Sequence, residues 1–217
     1  MLFAYPLTAC AVDNYKTDSI TNAGLNSSQN HQQDLHNSSI SIAAFSTIDV
    51  NKKLAINPFI SGNIGSFYFE NRYNYEANNS ASINIGKKLA NKLLGFEITP
   101  MVGLVAGGFK GITSEVQAGR ENKKWSFSID NQYTLEYAEV KRSFYSNWLS
   151  GKFKLAGFLQ AGISTLFVKC GDKRSTFDKG LAVSFLYDKF SFNMYAFNYE
   201  PKRRNYMFSL RYNLKLN

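Results

Sequence analysis

At 217 residues the chain is long enough for one barrel or sandwich, or at most two small domains. Its 18 Phe and 13 Tyr against 4 Pro point to many strands joined by polar turns, and it lacks the run of roughly eighteen apolar residues that a membrane-spanning helix needs. The net charge of +9 comes without zinc-ligand spacing, a helix-turn-helix pattern or an RNA-binding aromatic signature, so no nucleic-acid partner is expected.

The mean hydropathy of −0.27 does not count against a transmembrane barrel, because half of the residues in such strands are polar. Basic residues gather in turns, at Lys87-Lys88, Lys123-Lys124, Lys173-Arg174 and Lys202-Arg203-Arg204.

Residues 1–39 read as a leader. Met1 to Cys10 resembles the tail of an export signal without its basic start, and Leu7-Thr8-Ala9-Cys10 loosely matches a lipobox, which makes Cys10 the candidate for lipidation. From Val12 to Ser39 the chain is rich in Asn, Gln and Ser without periodicity, and it holds both histidines, His31 and His36. Residues 40–66 read as a lead-in with one or two additional strands, in which alternation is poor. The repeating pattern, and with it the barrel, is placed at 67–217.

Phe67, Phe69, Tyr73 and Tyr75 share one face of the first clear strand, and Tyr68, Glu70, Arg72 and Glu76 share the other. Ala81, Ile83 and Ile85 oppose Ser82 and Asn84. Next, Phe96, Ile98, Val102 and Leu104 oppose Glu97, Thr99 and Met101, with a bulge expected at Pro100 because it lacks a ladder donor. Gly107 to Gly111 is a turn, with no Lys-Ser/Thr or helix to make it a phosphate loop. Thr113, Glu115 and Gln117 share a face. The clearest central strand then puts Trp125, Phe127, Ile129, Tyr133, Leu135 and Tyr137 against Ser126, Asp130, Gln132 and Glu136. Further strands follow around Trp148 and at Phe158–Lys169, and Leu181–Tyr187 pairs with Phe190–Tyr199 across Asp188-Lys189. Cys170 is expected as a buried or free thiol, since the two cysteines stand in no framework spacing.

The last strand is the most regular. Tyr206, Phe208, Leu210, Tyr212, Leu214 and Leu216 alternate with Ser209, Arg211, Asn213 and Lys215, and Met207 is the one apolar residue on the polar side. Its length matches a tilted transmembrane strand of roughly 9–11 residues. With Phe67–Glu76 and Trp125–Tyr137, this strand gives the chain its resemblance to small outer-membrane β-barrel proteins of the porin-like superfamily, although their final strands usually end on an aromatic residue and this one ends Leu216-Asn217.

The resemblance implies an all-β fold: a closed antiparallel up-and-down transmembrane β-barrel of about ten strands, between roughly eight and twelve, in the cell outer membrane. It implies a structural or narrow-pore role, with outer-membrane lipid, lipopolysaccharide and the barrel-insertion machinery as partners. No cofactor or metal is expected. The candidate lumen charge network is Glu70, Arg72, Glu76, Glu97, Glu115, Asp130, Glu136 and Arg211, all on polar strand faces. Trp125, Tyr137, Trp148, Tyr206 and Tyr212 are the candidate membrane-interface aromatics. No enzyme activity is expected, because both histidines that a Ser-His site would need lie in the leader. Two other readings share the pattern: a soluble lipocalin-like barrel around an apolar ligand, and an outer-membrane lipid-modifying enzyme. Alternation alone does not say which face is inside.

Overall fold

The computed structural model describes residues 38–48, 54–73, 79–91, 95–137, 142–171, 175–200 and 204–216. Cys10, Glu76, Tyr75 and both histidines lie outside these residues. Thirteen strands form one sheet: β1 Ser38–Ile48, β2 Leu54–Ile64, β3 Phe67–Tyr73, β4 Ser80–Lys87, β5 Leu89–Asn91, β6 Phe96–Gly107, β7 Gly111–Glu121, β8 Trp125–Glu136, β9 Phe144–Ala156, β10 Leu159–Cys170, β11 Thr176–Tyr187, β12 Phe190–Phe197 and β13 Asn205–Leu216. Each pairs antiparallel with its neighbour. The sheet closes because β1 pairs with β13, from Ser38 opposite Leu216 to Ile48 opposite Tyr206, and β4 pairs with β6.

β4 and β5 are two parts of one stave. Gly86 faces Met101 and Leu89 faces Ile98, three residues on along both strands, so the register continues across the gap. Pro100 accounts for the interruption. Its carbonyl is aimed at Gly86, where an added Cβ would meet it at 2.4 Å, so its missing N–H belongs to the same edge. The bulge expected at Pro100 is therefore absent, and the ladder skips a bond without slipping. The barrel thus has twelve staves. Ten begin at Phe67 or later, and β1 and β2 precede them.

One rim holds Ser38, Leu216 and the tight Gly65-Ser66, Gly157-Phe158 and Asp188-Lys189 connections. We call it the terminal rim. The opposite rim holds the β6–β7 connection and the ends of β8, β10 and β12.

Polarity is reversed relative to a soluble core. The buried residues facing the lumen include Ser41, Asn57, Ser61, Glu70, Arg72, Asn84, Thr113, Glu115, Gln117, Gln132, Ser150, Lys152, Gln160 and Arg211. Ile42, Ile60, Ile83, Ile85, Val102, Leu104, Val116, Ile163, Leu181 and Leu210 are exposed on the outer wall. A closed barrel satisfies its backbone hydrogen bonds within the wall, so such an exterior can sit in hydrocarbon without an unpaired edge. The even residues of β13 face out and Ser209 and Arg211 face in. The same parity places exposed aromatics near both rims: Phe67, Phe153, Phe158, Tyr187 and Phe190 towards the terminal rim, and Tyr73, Tyr137, Phe177, Tyr199 and Tyr206 towards the other.

Three buried apolar clusters lie inside the barrel instead of outside it. Ala43, Phe45 and Phe59 line the β1–β2 wall. Trp148, Leu166, Ala182, Tyr195, Phe197 and Met207 line the β9–β13 wall. Val105, Phe109, Phe144 and Cys170 close together at the opposite rim.

Candidate functional site

The lumen has one charged wall and one aromatic wall. On the charged side β3 points Tyr68, Glu70 and Arg72 inward at alternate positions. Arg72 pairs with both Glu70 and Glu115 of β7, and all three side chains are sealed from solvent. Its Nε donates to Glu70 Oε2 at 2.8 Å, and its Nη2 donates to Glu115 Oε2 at 2.7 Å. Gln117 Nε2 donates to Glu70 Oε1 at 3.0 Å and to Glu115 Oε1 at 2.6 Å, and Tyr68 Oη donates to Glu70 Oε1 at 2.7 Å. Gln132 of β8 extends the cluster, with Nε2 donating to Thr113 at 3.2 Å and Thr134 at 3.1 Å. Buried charges are retained only with partners of this kind, since one left alone costs several kcal/mol of desolvation, on the order of 3–5.

Two guanidinium groups share one ring. Arg72 and Arg211 lie 6.0 and 5.8 Å from the centroid of Phe59, because the cross-strand row runs Arg211, Ala43, Phe59, Arg72. The small Ala43 leaves room for both cations to approach the ring, a favourable cation–π geometry. β13, the closing stave, thereby brings Arg211 to the same part of the lumen as Arg72.

The remaining expected charges are spread along the barrel. Glu97 pairs with Lys88 at 3.4 Å at the terminal rim, and Glu136 pairs with Arg142 at 3.1 Å at the opposite one. Asp130 faces inward on β8, half-buried. Four lumen groups outside the expected set stand out: Gln117, Gln132, Lys152 and the Glu121–Lys154 pair at 2.5 Å. Lys152 Nζ lies 3.1 Å from Ser184 Oγ, which donates to Asn193 at 2.6 Å, and Asn193 donates to Ser209 at 3.0 Å. Strand parity was the signal for them, since Gln117 and Gln132 share faces with Glu115 and Asp130.

Trp148 corrects an expectation. It is not at a membrane interface but inside, 4% exposed, donating Nε1 to Ser164 Oγ at 2.7 Å. Its ring packs edge-on against Tyr195 at 5.2 Å and Phe197 at 5.9 Å. Met207, the odd residue of β13, fills the same cluster. Trp125 faces outward at the terminal rim, with Arg120 5.5 Å over its ring. Tyr137 and Tyr206 are exposed near the opposite rim, and Tyr212 packs on Phe190 near the terminal one.

Cys170 is a second correction: it is buried but not a free thiol, being disulfide-bonded. At the same rim the glycine-rich connection folds inward. Phe109 N donates to Ser80 Oγ at 2.9 Å, and the ring meets Phe144 at 6.1 Å.

Solved structures with a similar fold include porins. A KdgM porin superposes with a TM-score of 0.60 at 12% identity, covering 79% of this chain and 98% of its own. The fold is that of a porin. A KdgM porin in complex with disordered oligogalacturonate gives 0.61 at 13% identity over the same shares, and a NanC porin gives 0.58 at 6%, covering 82% and 100%. No protein-family model and no curated protein matches the sequence. At these identities the likeness carries the fold alone.

Proposed function

We propose that this porin-fold barrel sits in the outer membrane as a narrow channel for small hydrophilic solutes. The observation that carries this reading is the polarity of the closed wall, apolar and aromatic-rimmed outside, hydrogen-bonding and charged inside. A soluble lipocalin-like barrel needs the opposite arrangement, so that alternative loses its basis. Lipid contacts the Ile, Val and Leu band, while the exposed aromatics at the two rims, Tyr137 and Tyr206 among them, meet the interfaces. Lipopolysaccharide and the barrel-insertion machinery are the partners this location brings.

Selectivity on this reading comes from the two walls together. Arg72, Arg211 and Lys152 supply positive charge, Glu70 and Glu115 supply negative charge, and Trp148, Tyr195 and Phe197 offer flat apolar faces. Rings of fixed charge bias which ions pass, and aromatic faces favour solutes with apolar patches such as sugars. Fractionation of expressing cells and recording in planar bilayers test the proposal. Recovery in the outer-membrane fraction with discrete conductance steps is expected. A detergent-free soluble monomer, or no conductance under oxidising and reducing conditions alike, contradicts it.

A further inference from the structure

Asn131 on β8 and Asn147 on β9 stand opposite each other in the ladder, and strand parity puts both on the outer wall. Ile129 and Tyr133 share the face of Asn131, whereas Gln132 and Trp148 point into the lumen. Asn131 is the seventh of the twelve residues of β8, so the pair lies near mid-depth. The cross-strand row runs Val116, Asn131, Asn147, Phe167, apolar on both sides of the two amides.

Asn131 Oδ1 accepts from Asn147 Nδ2 at 2.6 Å and from Tyr145 Oη at 2.9 Å. Asn131 Nδ2 and Asn147 Oδ1 have no partner among the described residues. Two amides that share one hydrogen bond always leave one amino group and one carbonyl, whichever way each is turned. In hydrocarbon neither group finds water, and a polar group left unbonded there is costly. Acyl chains offer no donor and no acceptor.

The remaining donor and acceptor complement a second copy of themselves. A two-fold axis parallel to the barrel axis sets Asn131 of each copy against Asn147 of the other, so both bonds form together. The surface beside the pair is low enough for close approach. Ala118 lies next to Ile129 on the outer wall, and at Gly151, two outward positions on from Asn147, an added Cβ would meet nothing within 4 Å. Small residues let membrane segments pack closely, and side-chain amides then bond across the contact. Asn71, also outward, differs on both counts: it lies two residues from the end of β3, and its ladder neighbours are Ile60 and Ile83.

We propose that the barrel forms a homodimer in the membrane through the outer wall of β8 and β9, held by reciprocal Asn131–Asn147 hydrogen bonds. The dimer rests on the membrane placement of the barrel and not on conduction.

The experiment uses the full chain in mild detergent and in vesicles. Sedimentation corrected for bound detergent is expected to give twice the mass of one chain. Asn131→Leu/Asn147→Leu is expected to weaken the dimer roughly ten-fold or more, with heat-modifiable migration showing that the variant is folded. Asn71→Leu is expected to leave the dimer unchanged. In vesicles, in a Cys10→Ser/Cys170→Ser background, Ile129→Cys is expected to cross-link two copies through a short bismaleimide. Ile42→Cys, exposed on the far wall at β1, is expected not to. A folded monomer, a trimer, a double variant that dimerises as tightly as the native chain, or equal cross-linking at the two positions overturns the dimer and leaves the channel reading standing. A detergent-free soluble barrel overturns both.

Discussion

Arg72 on β3 reaches Glu115 on β7 at 2.7 Å across the two staves between them. The wall under that span is low: Ser82 and Asn84 on β4, and Gly103 on β6. Because Arg72 also holds Glu70, one cation serves two carboxylates. The partners are therefore unequal. Arg72→Met leaves two buried carboxylates facing each other and is expected to cost about 3–5 kcal/mol. Glu115→Gln keeps the Arg72–Glu70 pair and is expected to cost only about 1 kcal/mol. Urea unfolding in detergent micelles compares them, and equal losses would contradict the asymmetry.

Asn84 lies over Gly103. A Cβ added at Gly103 would sit 1.9 Å from Asn84 Oδ1 and 2.5 Å from the Ile83 carbonyl. Gly103→Ala is expected to destabilise the barrel by about 1–3 kcal/mol through overpacking. Adding Asn84→Ala is expected to recover part of that loss and not all, because the Ile83 backbone remains in the way. The same unfolding measurement on the single and double variants checks it.

The two tryptophans occupy opposite sides of the wall. In single-tryptophan variants Trp148→Phe and Trp125→Phe, brominated acyl chains are expected to quench Trp125 fluorescence strongly and Trp148 weakly. Equal quenching would put Trp148 at the lipid interface after all.

Ile163 is among the most exposed residues of the outer band and lies near the middle of β10. Ile163→Arg is expected to cost about 2–4 kcal/mol in a bilayer, the penalty for a cation on the lipid face at mid-depth. A neutral effect on folding into vesicles would argue that this face meets water.

Much of this architecture was legible because strand parity survives any tertiary context. β3, β8 and β13 alternate so regularly that inward and outward sets follow from counting residues. β1 and β2 were harder. Their lumen faces carry Ala43, Phe45 and Phe59, and their lipid faces carry Ala44 and Pro58, so hydropathy barely differs between sides. Trp148 misled for the same reason, being an apolar residue that faces inward. Counting also cannot say which inward residues meet. The Phe59 ring shared by Arg72 and Arg211 exists because β13 closes on β1, a relationship 139 positions apart in the chain. The disulfide at Cys170 had no local signal, because its meaning depends on which rim β10 ends at.

The barrel wall is apolar outside and polar within, and β13, whose two faces differ most regularly, is the strand on which to measure it. Spin labels placed one at a time from Tyr206 to Leu216 in reconstituted vesicles, in a Cys10→Ser/Cys170→Ser background, report which medium each position meets. Strong relaxation by lipid-dissolved oxygen is expected at Phe208, Leu210, Tyr212 and Leu214, and little at Met207, Ser209, Arg211 and Asn213. Strong relaxation of the even positions by a water-soluble nickel chelate would contradict it.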